Sequence, residues 1–369
     1  MSVIVKYIDG FRNSRAAHAI TELIRGDGFL LKARGIEARI MEVCGSHTMS
    51  IGRYGIRGIL PDNVKLLSGP GCPVCVTDAA YIDAAVELAG RGITIATFGD
   101  MLKVPGGRKN LVDARSAGGD IHVCYSPLDA FNLADANPAR EVVFLGIGFE
   151  ATVPPVISLV KKAVASSLKN ISVLAAFKVV PPVLEALATD DEVAVNGFLL
   201  PAHVSAIIGS EGYAGFVHRY SLPCVIAGFE PLDILYGLHG ILEQLAEGKA
   251  NLENQYTRVV TASGNRLALE LMDEYLEPAD ASWRGIGTIP ASGLALREIF
   301  SEFDAAKKYG VNTSGGTPDQ RCRCGDVLRG MITPDQCPLM GTDCTPGFPV
   351  GPCMVSSEGS CAAHYRYSR

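Results

Sequence analysis

Short apolar runs that alternate with amphipathic helical segments are the feature that most constrains this 369-residue chain. The runs include ARIMEV, ITIATFGD, VVFLGIGFE, ISVLAAFKVV and LPCVIAGFE, and segments such as TDAAYIDAAVELAGRG and PVISLVKKAVASSL lie between them. Apolar strands that alternate with helices are typical of βαβ units, in which a parallel sheet is covered on both faces. We therefore expect an α/β fold.

Three of these runs end alike, at Gly99-Asp100, Gly148-Phe149-Glu150 and Gly228-Phe229-Glu230. Each is followed by a segment with helical periodicity. Ligands of open α/β sheets bind outside the carboxyl ends of the strands, so the acids are expected near such an edge, although an acid at a helix N-terminus also has a purely structural role. The repeated pattern indicates two related α/β halves with a boundary near residues 135–138.

The two ends of the chain differ from this pattern. Residues 11–26 have the periodicity of a helix, with several apolar residues on one face. From about residue 261 we expect helices to dominate, and after Tyr309 the chain turns to Gly, Pro and Cys. Such a segment has too few aliphatic side chains for a core of its own, and a metal bonded to thiolates can hold it together instead.

Composition excludes several classes of function. The chain is 48% hydrophobic, its net charge is −6 and its pI is about 5.7, and no basic stripe with interleaved aromatic residues indicates a nucleic-acid partner. No apolar run approaches the roughly 20 residues of a membrane-spanning helix, and residues 1–28 lack the pattern of a signal peptide. We expect a cytoplasmic protein without a membrane partner. Without an export signal, the eleven cysteines argue against a framework of disulfides.

Six cysteines lie between residues 322 and 361. A cubane iron–sulfur cluster needs four thiolates, one for each iron, so six cysteines leave two over. One choice of four, spaced C-x14-C-x6-C-x16-C, is Cys322, Cys337, Cys344 and Cys361, which leaves Cys324 and Cys353. Composition does not choose among the quartets. A structural zinc site is the alternative, but none of the six cysteines has the C-x2-C spacing that zinc sites favour.

A second thiol group lies in SGPGCPVC, after the strand-like run NVKLL. Cys72 and Cys75 have the redox-active C-x-x-C spacing at the predicted start of a helix, where backbone amides stabilise a thiolate. Two such thiols can close a disulfide or bind one metal. The alternative is that both are small buried residues at the end of a strand.

A third thiol, Cys44, follows the strand-like run IEARIM and lies in the segment EVCGSHT. His47 is close enough in sequence to act as a base or to donate a hydrogen bond to a ligand of a metal. A structural histidine and a buried structural cysteine are the alternatives. Cys124 and Cys224 lie in apolar strand-like runs, and we interpret them as buried structural thiols.

Taken together, these motifs resemble the HypD family, which takes part in the maturation of [NiFe] hydrogenases. The resemblance rests on CGSHT at residues 44–48, GPGCPVC at 69–75, GFEAT at 148–152 and the spacing of the four C-terminal cysteines. TFGDMLKVPG, LPAHVSAIIG and WRGIGTIPASGL are also similar to that family. The resemblance covers nearly the whole chain.

The resemblance implies two similar parallel-sheet α/β domains flanking a cleft, plus a C-terminal helical and loop-rich iron–sulfur domain. On this chain it places an N-terminal helix, packed on the C-terminal domain, at 1–36. Domain I, with CGSHT and GPGCPVC, spans 37–136. Domain II, with GFEAT, spans 137–260, and the [4Fe-4S] domain spans 261–369.

The family's function implies a scaffold on which the Fe(CN)2CO unit of the hydrogenase is assembled. Partners are a HypC-type chaperone and a HypE-type cyanide donor, and we expect a monomer in their absence. By resemblance, Cys44 binds the iron and Cys72 with Cys75 forms a dithiol in the cleft. The cluster ligands are Cys322, Cys337, Cys344 and Cys361. Cys324 and Cys353 are implied to form a redox disulfide beside the cluster.

Cleavage of a thiocyanate carbon–sulfur bond consumes electrons, which a [4Fe-4S] cluster supplies singly and a dithiol stores in pairs. We therefore expect an electron path from the cluster through Cys324 and Cys353 to the cleft dithiol, ending at iron on Cys44, with His47 and Glu150 orienting or protonating ligands. Two alternatives stay open: an iron–sulfur-dependent disulfide reductase, for which Cys44 has no role, and a zinc-stabilised interaction module.

Overall fold

The computed structural model describes residues 9–368. Its strands are β1 Ala38–Glu42, β2 Val64–Ser68, β3 Thr94–Thr97, β4 Ile121–Val123, β5 Val142–Gly148, β6 Ile171–Lys178, β7 Gly197–Pro201, β8 Cys224–Ala227, β9 Leu252–Asn254, β10 Leu276–Trp283 and β11 Gly287–Leu296. Its α-helices are α1 Ser14–Ala33, α2 Gly45–Arg53, α3 Pro73–Val76, α4 Ala79–Gly90, α5 Leu111–Ser116, α6 Pro127–Asp135, α7 Val153–Ala165, α8 Val180–Ala188, α9 Ala202–Ile208, α10 Ala214–Tyr220, α11 Pro231–Glu247, α12 Arg266–Tyr275, α13 Ala305–Tyr309, α14 Cys324–Leu328 and α15 Ser360–Tyr367.

The strands form two sheets. A five-stranded sheet has the order β2-β1-β7-β8-β9 and is parallel throughout. A six-stranded sheet has the order β10-β11-β6-β5-β3-β4, in which only the pairs made by β11 are antiparallel. The predicted α/β class with parallel sheets is confirmed. The central strands β5 and β7 are almost entirely apolar and completely buried, as is typical of parallel strands covered on both faces.

The two sheets are interleaved along the chain. The five-stranded sheet takes its strands from residues 38–68 and 197–254, and the six-stranded sheet from 94–178 and 276–296. The predicted boundary between residues 136 and 137 falls inside the six-stranded sheet, where β3 pairs with β5. Periodicity locates strands but does not say which strands pair, so the sequence suggested consecutive halves where the chain crosses between sheets.

The N-terminal helix packs differently from the expectation. Helix α1 contacts α11 of the five-stranded sheet, and its Ile20, Ile24 and Leu31 are buried in that core. Asp27 Oδ2 lies 2.7 Å from His239 Nδ1 of α11. The helix therefore belongs with the sheet and not with the cysteine-rich segment, and residues 1–8 of the predicted unit lie outside the described residues.

A β-hairpin stands where the sequence analysis expects helices after residue 261. Strands β10 and β11 pair along their length and attach to β6 through Gly293 and Leu294. The residues of β10, LEPADASW, are half-exposed and poor in branched apolar side chains, so they lack the pattern of the central strands. Pairing with β11 forms this strand in spite of its composition, and the hairpin extends the six-stranded sheet into the region assigned to the iron–sulfur domain.

One buried cluster joins the two sheets to the C-terminal segment. It contains Val43 from the end of β1, Phe149 from the end of β5, Trp283 from the hairpin, and Cys324 and Cys353 from the cysteine-rich region. The loops at the carboxyl ends of strands from both sheets thus meet in one interior. In the part of the chain that the structure describes, no helix is both long and apolar enough for a bilayer.

Candidate functional site

Three chemically reactive side chains follow neighbouring strands of the five-stranded sheet. Cys44 follows β1, Cys72 follows β2, and His203 is the second residue of α9 after β7. Strand β1 pairs in parallel with both β2 and β7. Because parallel neighbours end at the same edge of a sheet, the fold brings these three residues to one place.

Cys44 occupies the N-cap position of α2 and is almost completely buried. Burial raises the pKa of its thiol to about 12, and the charge of Glu358 adds to the rise, while the backbone amide of His47 opposes it. Nδ1 of His203 lies 3.8 Å from the Cys44 Sγ. In this state the thiol keeps its proton at neutral pH, and a cation that replaces the proton would remove the cost of the thiolate.

The loop that carries the dithiol packs directly on the backbone of Cys44. A Cβ atom on Gly71 would overlap the backbone N and Cα of Cys44, so this position requires glycine. The Gly45 amide donates to the Gly71 carbonyl at 3.1 Å, and the Gly69 amide donates to the Glu42 carbonyl at 2.9 Å. The glycines of GPGCPVC thus seat the two thiol motifs against each other.

Cys72 caps the short helix α3, and the Cys75 amide donates to its Sγ at 3.3 Å. Both thiols are buried and free. Burial raises the pKa of Cys75, and the charges of Cys72, Cys361 and Glu358 raise it further. The dithiol therefore lies within electrostatic range of the C-terminal cysteine segment.

The C-terminal segment closes over the same edge. The Ser46 hydroxyl donates to Glu358 Oε1 at 2.6 Å, and Gly45 lies so close to Glu358 that a Cβ there would overlap it. Helix α15 packs on α2, and residues 352–354 contact α3. Glu358 is a site residue that the sequence analysis missed, since nothing in SSEGS distinguishes this acid from others.

His47 is completely buried, and its ring is hydrogen-bonded to the backbone just beyond β8. Its Nε2 lies 2.9 Å from the Gly228 carbonyl, to which it donates, so its other nitrogen, Nδ1, is the acceptor. That Nδ1 is buried and has no hydrogen-bond partner within residues 9–368. Burial lowers the pKa of His47 to about 4, so the ring is neutral. The His47 ring ties α2 to the end of β8, while the backbone amide of His47 is the group that acts on the Cys44 sulfur.

His203 takes the place beside the Cys44 sulfur that the sequence analysis gave to His47. Burial lowers the pKa of His203 to about 4, so it too is neutral. Its ring and that of His47 pack on Phe229, with centroid distances of 5.4 and 5.0 Å. The signal that could have found it is the run GFLLPAH, a buried strand followed at once by a histidine, as in IMEVC.

Glu150 lies beyond β5 of the other sheet and is buried. Its Oε1 accepts a hydrogen bond of 2.8 Å from the Val180 amide, while its buried Oε2 has no partner among the described residues. Burial raises the pKa of Glu150 to about 7. Tyr213 senses the charges of both Glu150 and Cys44, which raise its pKa beyond the rise due to burial. Glu150 can therefore gain or lose a proton near neutral pH in the interior that Cys44 borders.

The six C-terminal cysteines converge on one pocket with apolar walls. Cys324 and Cys353 form a disulfide with a Cα–Cα distance of 6.5 Å, the pairing implied by the family resemblance. Cys322, Cys337, Cys344 and Cys361 are free and line the same pocket. The C-terminal segment is thus folded around its six sulfur atoms, as its lack of aliphatic residues predicts.

The four free cysteines are a donor set that suits iron or zinc. Burial raises the pKa of Cys322 to about 11, and the charges of Cys344 and Cys337 add to it, as expected for thiols that crowd together. A Cβ on Gly351 would overlap the Cys322 Sγ, and the Val350 amide donates to the Cys344 Sγ at 3.4 Å. Within residues 9–368 no three Cys, His, Asp or Glu side chains have a ready-made metal geometry. Four free thiols that line one pocket agree in number and type with the four ligands that a [4Fe-4S] cluster needs.

Among the other cysteines, Cys124 and Cys224 are buried in or beside strands, as interpreted from the sequence. The structure thus brings the predicted reactive cysteines into two adjacent groups, to which His47 and Glu150 do not belong. One contains Cys44, Cys72 and Cys75, and the other contains the six C-terminal cysteines. Phe149, next to Glu150, belongs to the buried cluster that also contains Cys72 and Cys75.

Comparison with known proteins identifies the same family as the sequence motifs, along nearly the whole chain. Residues 20–368 match the family described as HypD, "Hydrogenase formation hypA family". The chain is 44% identical to the hydrogenase maturation factor HypD of Azotobacter vinelandii, over 99% of this chain and 97% of that protein. It is 41% identical to the HypD proteins of Cupriavidus necator, over 99% and 98%, and of Escherichia coli K12, over 89% of each. The chain therefore belongs to the HypD family of hydrogenase maturation factors.

Proposed function

We propose that this protein is the scaffold and redox component on which the Fe(CN)2CO unit of a [NiFe] hydrogenase is assembled. The observation that supports this most directly is the seating of Gly71 on the backbone of Cys44, which places a dithiol loop beside a potential iron ligand. In this proposal the iron is cargo, held jointly with a HypC-type chaperone, and a HypE-type protein supplies cyanide.

Cys44 is the iron ligand in this proposal. Its thiol is protonated in the free protein, so binding of ferrous iron releases that proton. The neutral His203 ring, with Nδ1 at 3.8 Å from the sulfur, is placed to accept it or to hold the thiolate in position. His47 keeps the start of α2 in register with β8 through its bond to Gly228.

Cys72 and Cys75 supply the electrons for cyanide release. A thiocyanate R–S–C≡N and two thiols give R–SH, hydrogen cyanide and one disulfide, so the carbon–sulfur bond breaks while a sulfur–sulfur bond forms. When cyanide binds iron as the anion, one proton remains to be removed. We assign Glu150 to this proton because its pKa lies near 7 and its Oε2 has no other partner among the described residues.

The dithiol must be reduced again after each transfer. We propose that Cys322, Cys337, Cys344 and Cys361 hold a [4Fe-4S] cluster, which supplies single electrons when bound. Cys324 and Cys353 are the intermediate pair: their disulfide lies in the pocket of the four ligands, and residues 352–354 contact the helix of the dithiol. Thiol–disulfide exchange between the two pairs is the step that this contact favours.

Infrared spectroscopy of the protein co-expressed with its chaperone tests the assignment of iron. Bound cyanide and carbon monoxide give characteristic stretching bands, and we expect both in the wild-type complex. A Cys44→Ala variant should lose the bands while it still binds the chaperone. Cys224→Ala is the matched control, because Cys224 is a buried thiol in β8 that we assign no role. A full set of bands in Cys44→Ala would refute Cys44 as the ligand.

A disulfide reductase is the second candidate, which the disulfide beside four free cysteines favours. Turnover of a protein disulfide by the purified chain, unaffected by Cys44→Ala, would support the reductase over the scaffold. Metal analysis separates both from a zinc-stabilised interaction module. Four irons with visible thiolate-to-iron absorbance agree with the proposed cluster, and zinc without that absorbance would contradict it.

A further inference from the structure

The turn of the hairpin, Trp283-Arg284-Gly285, has no role in the function proposed above, yet it lies between the two thiol groups. The Arg284 amide donates to the Val76 carbonyl at 2.9 Å, next to Cys75. On the other side, Gly285 touches Gly325, and a Cβ on Gly285 would overlap the Gly325 Cα. The hairpin turn thus connects the helix of the dithiol to the segment that begins with Cys322.

The Arg284 guanidinium is buried at this junction, with only 8% of the residue exposed. Its Nε donates to the Thr77 carbonyl at 2.8 Å and its Nη2 to the Pro105 carbonyl at 3.0 Å. Within residues 9–368 it forms no ion pair with a carboxylate at 4.0 Å or less. Its side chain therefore donates to neutral carbonyls, and no carboxylate of the described residues is in contact with its charge.

Two carboxylates act on Arg284 only from a longer distance, Asp78 and Asp83. Both are already held by other donors. Asp78 accepts from the Gly316 amide and the Ser282 hydroxyl at 2.9 and 2.5 Å, and Asp83 accepts from the Gly107 amide at 2.9 Å. A buried cation without a paired anion is unfavourable, so the burial of Arg284 favours another negative partner nearby.

Two thiols also lie near Arg284, and the surface groove that it lines contains Asp113 and Asp319 beside the cations Arg108 and Lys109. Cys322 and Cys75 both interact electrostatically with Arg284. Arg284 also lines a surface groove together with Val350, whose amide donates to the Cys344 Sγ. A cluster with four thiolate ligands carries negative charge, which becomes larger by one on reduction.

We propose that Arg284 is a positioning residue whose fixed positive charge stabilises the reduced state of the cluster bound by Cys322 and its three companions. The assignment rests on the proposed function, because it requires that cluster. Arg284 then has two roles in the hairpin turn. It anchors the dithiol helix through Val76 and Thr77, and it raises the reduction potential of the cluster beside it.

The test is the midpoint potential of the cluster, followed by electron paramagnetic resonance in the intact protein. Arg284→Gln removes the charge and keeps a donor for the two carbonyls, and Arg284→Lys keeps the charge. We expect Arg284→Gln to lower the equilibrium constant for one-electron reduction about tenfold, which is about 59 mV. Arg284→Lys should stay close to the wild type. Arg321→Gln is the control, since exposed Arg321 is next to Cys322 and pairs with Asp319 at 2.8 Å.

An unchanged potential in Arg284→Gln, or equal decreases in the Gln and Lys variants, would overturn the assignment. Should Arg284→Gln fold, as judged by circular dichroism, but lose its iron, retention of iron by Arg284→Lys supports a role for the charge, and loss from both refutes it. A wild-type protein without an iron–sulfur spectrum would instead refute the proposed function, and the role of Arg284 with it, before any variant is compared.

Discussion

The Nδ1 atom of His203 lies 3.8 Å from the Sγ atom of Cys44, although 159 residues separate them in the chain. They meet because β1 and β7 are neighbours in the sheet and each residue follows the end of its strand. The neutral imidazole of His203 is therefore within hydrogen-bonding distance of the sulfur of the proposed iron ligand.

We expect His203→Ala to weaken iron binding at Cys44 about 10-fold or more, the usual effect of removing a partner of a metal ligand. The iron retained at this site by the complex with the chaperone, measured after exposure to a chelator, checks the prediction. His203→Gln should retain part of the affinity, because its amide keeps a polar atom near the sulfur. Exposed His218 provides the control variant His218→Ala; equal iron loss in the two alanine variants would contradict a specific role.

Glu150 should make the stability of the protein depend on pH. Burial raises its folded-state pKa from the ordinary 4.5 to about 7, so the folded protein binds this proton more tightly than the unfolded chain. The resulting stability is fully present below about pH 4.5 and is lost as the pH rises through 7, with a span of about 3 kcal/mol. We expect Glu150→Gln to remove that dependence and to gain stability relative to the wild type at pH 8.

Urea unfolding of the wild type and Glu150→Gln at pH 5 and pH 8 measures this difference. The exposed Glu302 provides the control Glu302→Gln, whose effect on stability should be small at both pH values. Parallel pH profiles for the wild type and Glu150→Gln would show that the carboxyl group is not protonated in the folded protein.

Gly71→Ala should destabilise the protein and separate its two thiol motifs. The new Cβ would overlap backbone atoms of Cys44, which cannot move aside as the end of a flexible side chain could. We expect a loss of roughly 1–3 kcal/mol in the free energy of unfolding, as for other overpacked interiors. Scanning calorimetry measures it, and Gly58→Ala is the control because a Cβ there would meet no atom within 4 Å.

Removal of single C-terminal cysteines tests the choice of cluster ligands. We expect Cys344→Ala and Cys361→Ala each to lose more than half of the iron bound by the wild type, because a cubane needs all four thiolates. Cys324→Ala should keep most of its iron, since this residue is in the disulfide and not among the four free thiols. Iron and sulfide analysis after anaerobic reconstitution decides it, and greater loss from Cys324→Ala would require a different quartet.

Much of the site could be predicted from local sequence. Gly71 and its neighbours, the C-x-x-C pair and the spacing of the C-terminal cysteines identify chemistry that depends on residues near each other in the chain. The α/β class follows from strands and helices that alternate. The hairpin at β10 and β11 could not be predicted in this way, because tertiary pairing with β6 decides it against a weak local pattern.

The amino-acid sequence by itself determined which residues can bind metal or exchange electrons, and that their motifs lie at the ends of strands. The tertiary structure alone decided which of them meet: His203 instead of His47 beside Cys44, Glu358 over Gly45, and Arg284 between two groups of thiols. The physical reason is that strand pairing between distant parts of the chain sets these contacts, and a chain that crosses three times between two sheets leaves no periodic trace of its pairing order.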